Sequence, residues 1–228
     1  GLALYDLDVA TTDRILTEVL TQDPTDIEAL SVRAAARFLA DDTAGFETAK
    51  REVLRRHATY SQLYTIIARY AEWEHRYPAI VDMAREAIAL NPRDSVAQAT
   101  LGINLMRMGD EDAGMTALRE AWRRDRYNVQ VFNTLNLFED VIPQQYVSFE
   151  QAPFRFRMHQ EERPVLERYV PRHLAAAHAD MVRRYGFTPE GPLAMEMYAD
   201  VQHFSLRTTG LPNLGVQGVC FGKVVTSI

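Results

Sequence analysis

One period constrains this chain more than any other feature. The stretches QDPTD, RHATY, NPRDS and DRYNV place Pro24, Ala58, Pro92 and Arg126 34 residues apart each time. That is the length of one helix-turn-helix. Helical hairpins in tandem leave an apolar face open until the next one stacks on it, so a chain with this period predicts an array with a continuous core.

The content of each period agrees with its length. In LYTIIARYAEW, Leu63 to Trp73, Ile66, Ile67, Tyr70 and Ala71 recur at helical spacing around small Ala68. In ATLGINLMRMGD, Leu101, Leu105 and Met108 do the same beside Gly102, and a residue that small lets the second helix of the repeat come close. The second helices follow. AIVDMAREAIAL aligns Ile80, Met83, Ala84, Ala87 and Ile88, and DAGMTALREAW aligns Ala113, Ala117, Leu118 and Ala121. Gly109, between two helices, suits a positive φ.

This pattern resembles the tetratricopeptide repeat family, through Tyr64, Ile67, Ala68, Ala84, Ala87 and Pro92 in one repeat and Leu101, Gly102, Leu105, Gly109, Leu118 and Ala121 in the next. The repeats fall at about 27–60, 61–94 and 95–128, flanked by helices at 11–22 and 128–141, within a domain of residues 1–143. The first is degenerate, with Arg33 and Arg37 where the family usually has apolar side chains. Helix 11–22 reads as an orphaned second helix, its partner expected upstream. The resemblance implies a right-handed superhelix of paired helices whose groove binds protein or peptide. The groove-facing candidates on the first helices are Thr65, Arg69, Glu72, Trp73, Ile103, Met106 and Arg107. Members that clamp a terminal carboxylate use Lys and Asn there, and Thr65 and Arg69 predict no such clamp.

After Pro143 the period changes. QYVSFEQ and FRFRMHQ alternate as half-buried strands do, with Phe154, Phe156 and Met158 on one face and Arg155, Arg157 and His159 on the other. EERPVLERYVPRHLAAAHADMVRRYGF predicts a long helix, kinked or divided at Pro171 and ended by Gly186, with Val165, Leu166, Tyr169, Leu174, Ala177, Met181 and Tyr185 as its buried stripe. PLAMEMYAD predicts a strand, and DVQHFSLRTTG a short helix capped by Asp200. GVCFGKVVTSI then predicts one last strand, giving residues 144–228 a small mixed sheet with one long helix. The fold class is therefore mainly α, a helical array followed by a partial α+β domain.

The run Arg184 to Val225, with a D-x-x-x-F pattern at Asp200 and Phe204 and an R-T-x-G-like turn from Arg207 to Gly210, resembles the upstream part of the peptidase-MA-like gluzincin zinc metallopeptidases. The resemblance implies that the zinc helix with H-E-x-x-H follows such a strand, and no such motif occurs here. It also assigns Gly218, Val219, Cys220, Phe221, Gly222 and Lys223 to an edge strand that pairs with substrate, although the family's glycine-methionine-glutamate strand motif is unmatched. The apolar run Val219 to Ile228 fits a sheet that continues downstream.

No catalytic centre is expected in the chain itself. Zinc hydrolysis needs two histidines one helical turn apart with a glutamate between them. Among His57, His75, His159, His173, His178 and His203 the nearest pair, His173 and His178, lies about 140° apart around a helix axis. Cys220, the single cysteine, reads as a small buried hydrophobe, and the glycines from Gly210 to Gly222 match no phosphate-cradling loop. No cofactor is expected in this chain, with zinc reserved for a longer parent protein. The rival reading is a non-enzymatic adaptor whose α+β domain is a docking platform.

Charge narrows the partners. The net charge is -6; residues 1–150 carry 16 basic and 24 acidic side chains, and residues 151–228 carry 9 and 7. A nucleic-acid binder needs a basic stripe to neutralise phosphates, so protein or peptide is the expected partner. No apolar run is long enough to span a bilayer. Compartment and oligomeric state are open.

Overall fold

Aspartates and asparagines begin most of the helices, and they recur with the same period as the hairpins. The structure, a computed structural model, describes residues 2–228, which form two compact units. The first comprises the described residues up to Leu105 and Asp112–Arg124, the second Met106–Glu111 and Asp125–Ile228. The helices of the repeats are α1 (Leu2–Tyr5), α2 (Val9–Gln22), α3 (Ile27–Leu39), α4 (Thr43–Arg56), α5 (Gln62–Ala71), α6 (Tyr77–Leu90), α7 (Ser95–Arg107) and α8 (Glu111–Arg124). The second unit continues with α9 (Val129–Asn136).

Asp8 caps α2 by accepting from the Thr11 amide at 2.9 Å, and Asp42 caps α4 through Gly45 at 2.8 Å. Asp26, Asp94 and Asn128 cap α3, α7 and α9 through Ala29, Ala97 and Val131. Within each series the caps stand 34 or 68 residues apart. A cap satisfies an amide that the helix itself leaves orphaned, typically for about 1 kcal/mol. Where the period lacks a capping side chain, another bond takes over. The Ser61 hydroxyl donates to Asp94 Oδ2 at 2.6 Å, and the Arg76 guanidinium reaches back to Asp41 at 2.6 Å and to the Leu39 carbonyl at 3.1 Å.

Helix α3 packs on α2, α4 and α5, and α5 packs on α6. Leu30, Ala34, Val53, Leu63, Ile67, Ile80, Ala87 and Leu118 are wholly or almost wholly buried. Arg33 and Arg37 stand half-buried in the degenerate repeat because each finds a carboxylate, Glu52 at 2.6 Å and Asp13 at 2.5 Å. Gly102 lets α8 close on α7: a Cβ there would lie 2.6 Å from Leu118 Cγ and 2.9 Å from the Gly114 carbonyl oxygen. On the upstream side of α2 the four-residue α1 packs against it. The first unit is an array of stacked helical hairpins.

In the second unit α9 runs into a π turn, Leu137–Val141, and a short helix α10 (Ile142–Gln145). Five strands follow: β1 (Tyr146–Gln151), β2 (Phe154–His159), β3 (Leu193–Met197), β4 (Gly218–Cys220) and β5 (Val224–Ser227). Helix α11 (Arg163–Tyr185) precedes β3, and α12 (Val201–Thr209) follows it. The strand order is β1-β2-β3-β5-β4, with antiparallel hairpins at both sides and β3 joined in parallel to β2 and β5. On one face Phe154, Phe156 and Met158 are covered by Leu166, Val170 and Leu174 of α11. Tyr146, Tyr198 and Phe204 form a separate buried cluster with Leu137 of the π turn.

Two expectations need correction. The tail GVCFGKVVTSI is a hairpin, not one strand, because Gly222 at φ +74° turns the chain between β4 and β5. Of the two forms expected for α11, the divided one is absent, since a single helix contains Pro171. Most of its expected stripe is exposed: Val165, Tyr169, Met181 and Tyr185 keep more than half their surface, and Leu166, Val170 and Leu174 carry the packing. Twenty-three residues make a helix about 34 Å long, while strands of five or six residues span about 20 Å, so α11 overhangs the sheet. Asp200 caps α12 as its position predicts, accepting from Gln202 at 2.6 Å and His203 at 3.3 Å. Asp200→Ala is expected to cost about 1 kcal/mol, read as faster hydrogen exchange along α12.

Candidate functional site

The first-helix face of the array is built around three aromatic rings. Tyr5 ends α1, Tyr70 lies on α5, and Trp73 follows α5 in the turn. The Tyr5 ring sits 4.8 Å from that of Tyr70 and meets Trp73 edge-on at 5.8 Å. Tyr5, Leu39 and Trp73 occupy one position of the 34-residue period, and Leu2, Ala36 and Tyr70 another. Ala36 in the middle repeat is small and fully buried, which leaves room for rings two periods apart to meet. Tyr70 is buried, whereas Trp73 keeps 68% of its surface. An indole held edge-on by a tyrosine, with its other face in water, is an apolar contact surface of fixed orientation.

Of the predicted groove residues, Arg69 and Trp73 are exposed on this face, and Thr65 and Glu72 beside them are half-buried. Thr65 spends its hydroxyl on the Gln62 carbonyl at 3.2 Å. Ile103, on α7, is half-buried. Met106 is 2% exposed, so it offers nothing to a ligand. Its neighbour Arg107 lies with its guanidinium 5.3 Å from the centre of the Phe221 ring, within the second unit. Tyr5 was missed by sequence reasoning, although the period marks it as the counterpart of Trp73.

The predicted edge strand is shorter than expected. Gly218, Val219 and Cys220 form β4 at the sheet edge, whereas Phe221, Gly222 and Lys223 form the hairpin turn. Cys220 is exposed, contrary to the buried role expected for it, because an edge strand of three residues has no layer over that side. Its Sγ lies 3.6 Å from the Gly222 carbonyl.

The most concentrated charge lies inside the second unit. Arg157 of β2 stands opposite Glu196 of β3 in register, and Glu196 is 1% exposed. Arg207 of α12 grips Glu196 through Nε at 2.6 Å and Nη2 at 3.1 Å, Tyr198 donates to it at 3.1 Å, and Arg157 Nη1 lies 3.3 Å away. Arg157 also binds Glu111 at 2.6 Å, and Arg155 binds the same carboxylate at 3.1 Å. Phe138, carried by the π turn, stacks beneath both Arg157 and Arg207 at 5.3 and 5.6 Å. Burial alone would raise the Glu196 pKa, but Arg207 and then Arg157 outweigh it and hold the carboxyl below its ordinary value. Burial raises the Tyr198 hydroxyl, and it pushes Tyr146, whose hydroxyl lies 3.0 Å from His203 Nδ1, up to about 12. Groups shifted in these directions keep one charge state around neutral pH, which suits a structural lock and not proton transfer. Among the described residues no three His, Cys, Asp or Glu side chains are grouped to hold a metal ion.

No family model matches the sequence, and no curated protein matches it. Among solved structures, the crystal structure of MamA is similar at 20% identity, over 57% of this chain and 76% of its own, with a TM-score of 0.42. TTC0263, a thermophilic TPR protein in Thermus thermophilus, is similar at 16% identity, over 61% of this chain and 77% of its own, with a TM-score of 0.43. No helix among the described residues is long and apolar enough to cross a membrane.

Proposed function

We propose that the first unit is a protein-docking module that takes a peptide side chain against the Tyr5–Tyr70–Trp73 patch, between Arg69 and Glu72. The observation that carries this reading is Trp73, the ring the fold fixes and leaves open. Indole anchors supply much of the energy at such contacts. The test is selection from a random peptide library on the whole chain, followed by titration of the selected peptides. Trp73→Ala is expected to weaken them about tenfold while moving stability by less than about 0.5 kcal/mol. Peptides that bind the variant as tightly as the parent would refute the reading.

For the second unit we propose the front of a zinc-peptidase-like domain in a longer parent protein, with β4 as the strand that pairs with substrate. The order hairpin, long helix, strand, short helix, hairpin supports this, as does the free side of β4. A parent without H-E-x-x-H and without bound zinc would leave the adaptor reading, in which this unit only docks. Slower hydrogen exchange at Gly218–Cys220 when peptide is added to the longer protein is the expected result.

A further inference from the structure

Arg33 and Arg37 are unusual choices for a repeat helix, and the aromatic patch makes no use of them. Both lie on α3 and, with Ala44, Gly45, Thr48 and Ala49 of α4, line an open cavity of about 490 Å³. A second cavity of about 480 Å³ continues along α4, lined by Thr48, Arg51, Glu52 and Arg55. Thr48 and Glu52 belong to both, so the two form one trough. Its floor is made of small residues. Gly45 is required there, because a Cβ would stand 2.1 Å from Asp42 Oδ2 and 3.0 Å from Arg37 Cδ.

The charge of the trough runs against that of the chain. Four arginines, Arg33, Arg37, Arg51 and Arg55, and one carboxylate, Glu52, line the two cavities, with Arg56, Asp13 and Asp42 beside them, in a protein of net charge -6. Glu52 is shared between Arg33 and Arg56, and Asp13 holds Arg37. Arg51 reaches only the Thr48 hydroxyl, at 3.3 Å, and no carboxylate among the described residues pairs with Arg51 or Arg55. Two exposed guanidiniums without counterions, beside a cavity floored by alanine and glycine, form a ready carboxylate-binding surface.

We infer that this trough binds an acidic peptide segment in extended conformation. Spacing sets the conformation: Arg51 and Arg55, like Arg33 and Arg37, are four residues apart on a helix, or about 6 Å along its axis. Alternate side chains on one side of an extended chain repeat at nearly the same interval, about 6.6 Å. Acidic residues two apart therefore meet Arg51 and Arg55 in turn, while the peptide backbone lies over Ala44, Gly45 and Ala49. Thr48, which lines both cavities, stands between them with its hydroxyl donated to the Ala44 carbonyl at 2.9 Å.

The test uses the whole chain and a fluorescent peptide of alternating Glu and Ala, titrated by anisotropy at low and physiological salt. Binding that weakens with salt is expected. Arg51→Glu combined with Arg55→Glu should weaken it about tenfold, since two exposed charges that attract the peptide become charges that repel it. The double Gln variant, which keeps helix-forming side chains at both sites, should weaken it about threefold. Trp73→Ala should leave this binding unchanged, which separates the trough from the aromatic patch. Equal binding by parent and variants, equal binding of a Lys-Ala peptide, or tighter binding of a single-stranded oligonucleotide would each overturn the inference.

Discussion

Glu196→Ala is expected to destabilise the second unit by about 3–5 kcal/mol, because it strands Arg207 in the interior without its carboxylate and leaves Arg157 with Glu111 alone. Hydrogen bonds from Arg207 and Tyr198 would go with it. Glu196→Gln keeps the shape and loses the charge, and should cost less. Both tryptophans, Trp73 and Trp122, lie in the first unit, so their fluorescence is blind to this change. Hydrogen exchange along β3 reads it instead. The sign of the pH dependence follows from the lowered pKa. Glu196 contributes stability that is fully present above its unfolded value near 4.5 and is lost as pH falls through the lower folded value. The parent should therefore lose protection at β3 in that acidic window, and the Gln variant should show a flatter profile there. An Ala variant with parental exchange would show that the two arginines reach water or another anion.

Gly102→Ala is the second large effect, and it opposes the usual rule. Alanine in a helix interior normally gains about 1 kcal/mol over glycine. Here the added methyl would meet Leu118 at 2.6 and 2.7 Å and the Gly114 carbonyl at 2.9 Å. Leu118 is fully buried and has nowhere to turn, and Gly114 presents backbone. Overpacking of this kind typically costs about 1–3 kcal/mol, and with the propensity gain of about 1 kcal/mol subtracted a net loss of about 1 kcal/mol is expected. It should appear as a lower urea midpoint in tryptophan fluorescence with an unchanged slope. A higher midpoint would mean that α7 and α8 separate easily.

Those two sites differ in how far the sequence revealed them. Gly102 was legible because its neighbours repeat, and a small residue inside a recurring apolar stripe has few uses besides close approach. The caps repeat as well, at Asp8 and Asp42 and again at Asp26, Asp94 and Asn128, so the helix starts were encoded twice. The buried ionic cluster was legible only in pieces. Alternation put Arg157 on one face of its strand and Glu196 on one face of another, but their meeting depends on parallel pairing across a long crossover, which local pattern does not specify. The closing hairpin was missed for a similar reason. Gly222 turns the chain, yet residues on both sides of it are β-formers. Trp73 was picked out by its place on the first helix, while Tyr5, its counterpart two periods earlier, escaped because α1, which carries it, has four residues, too few for a helical period to show.

β3 is the keystone of the rear sheet. Each hairpin, β1 with β2 and β4 with β5, joins neighbours in the chain and can close early, but neither touches the other except through β3. Its pairings tie Phe154 to Leu193 and Ala194 to Val224, contacts that form only after long loops have shut. The helical array, whose partners are adjacent along the chain, should mature first, and arrival of this one strand should set the pace for everything behind it.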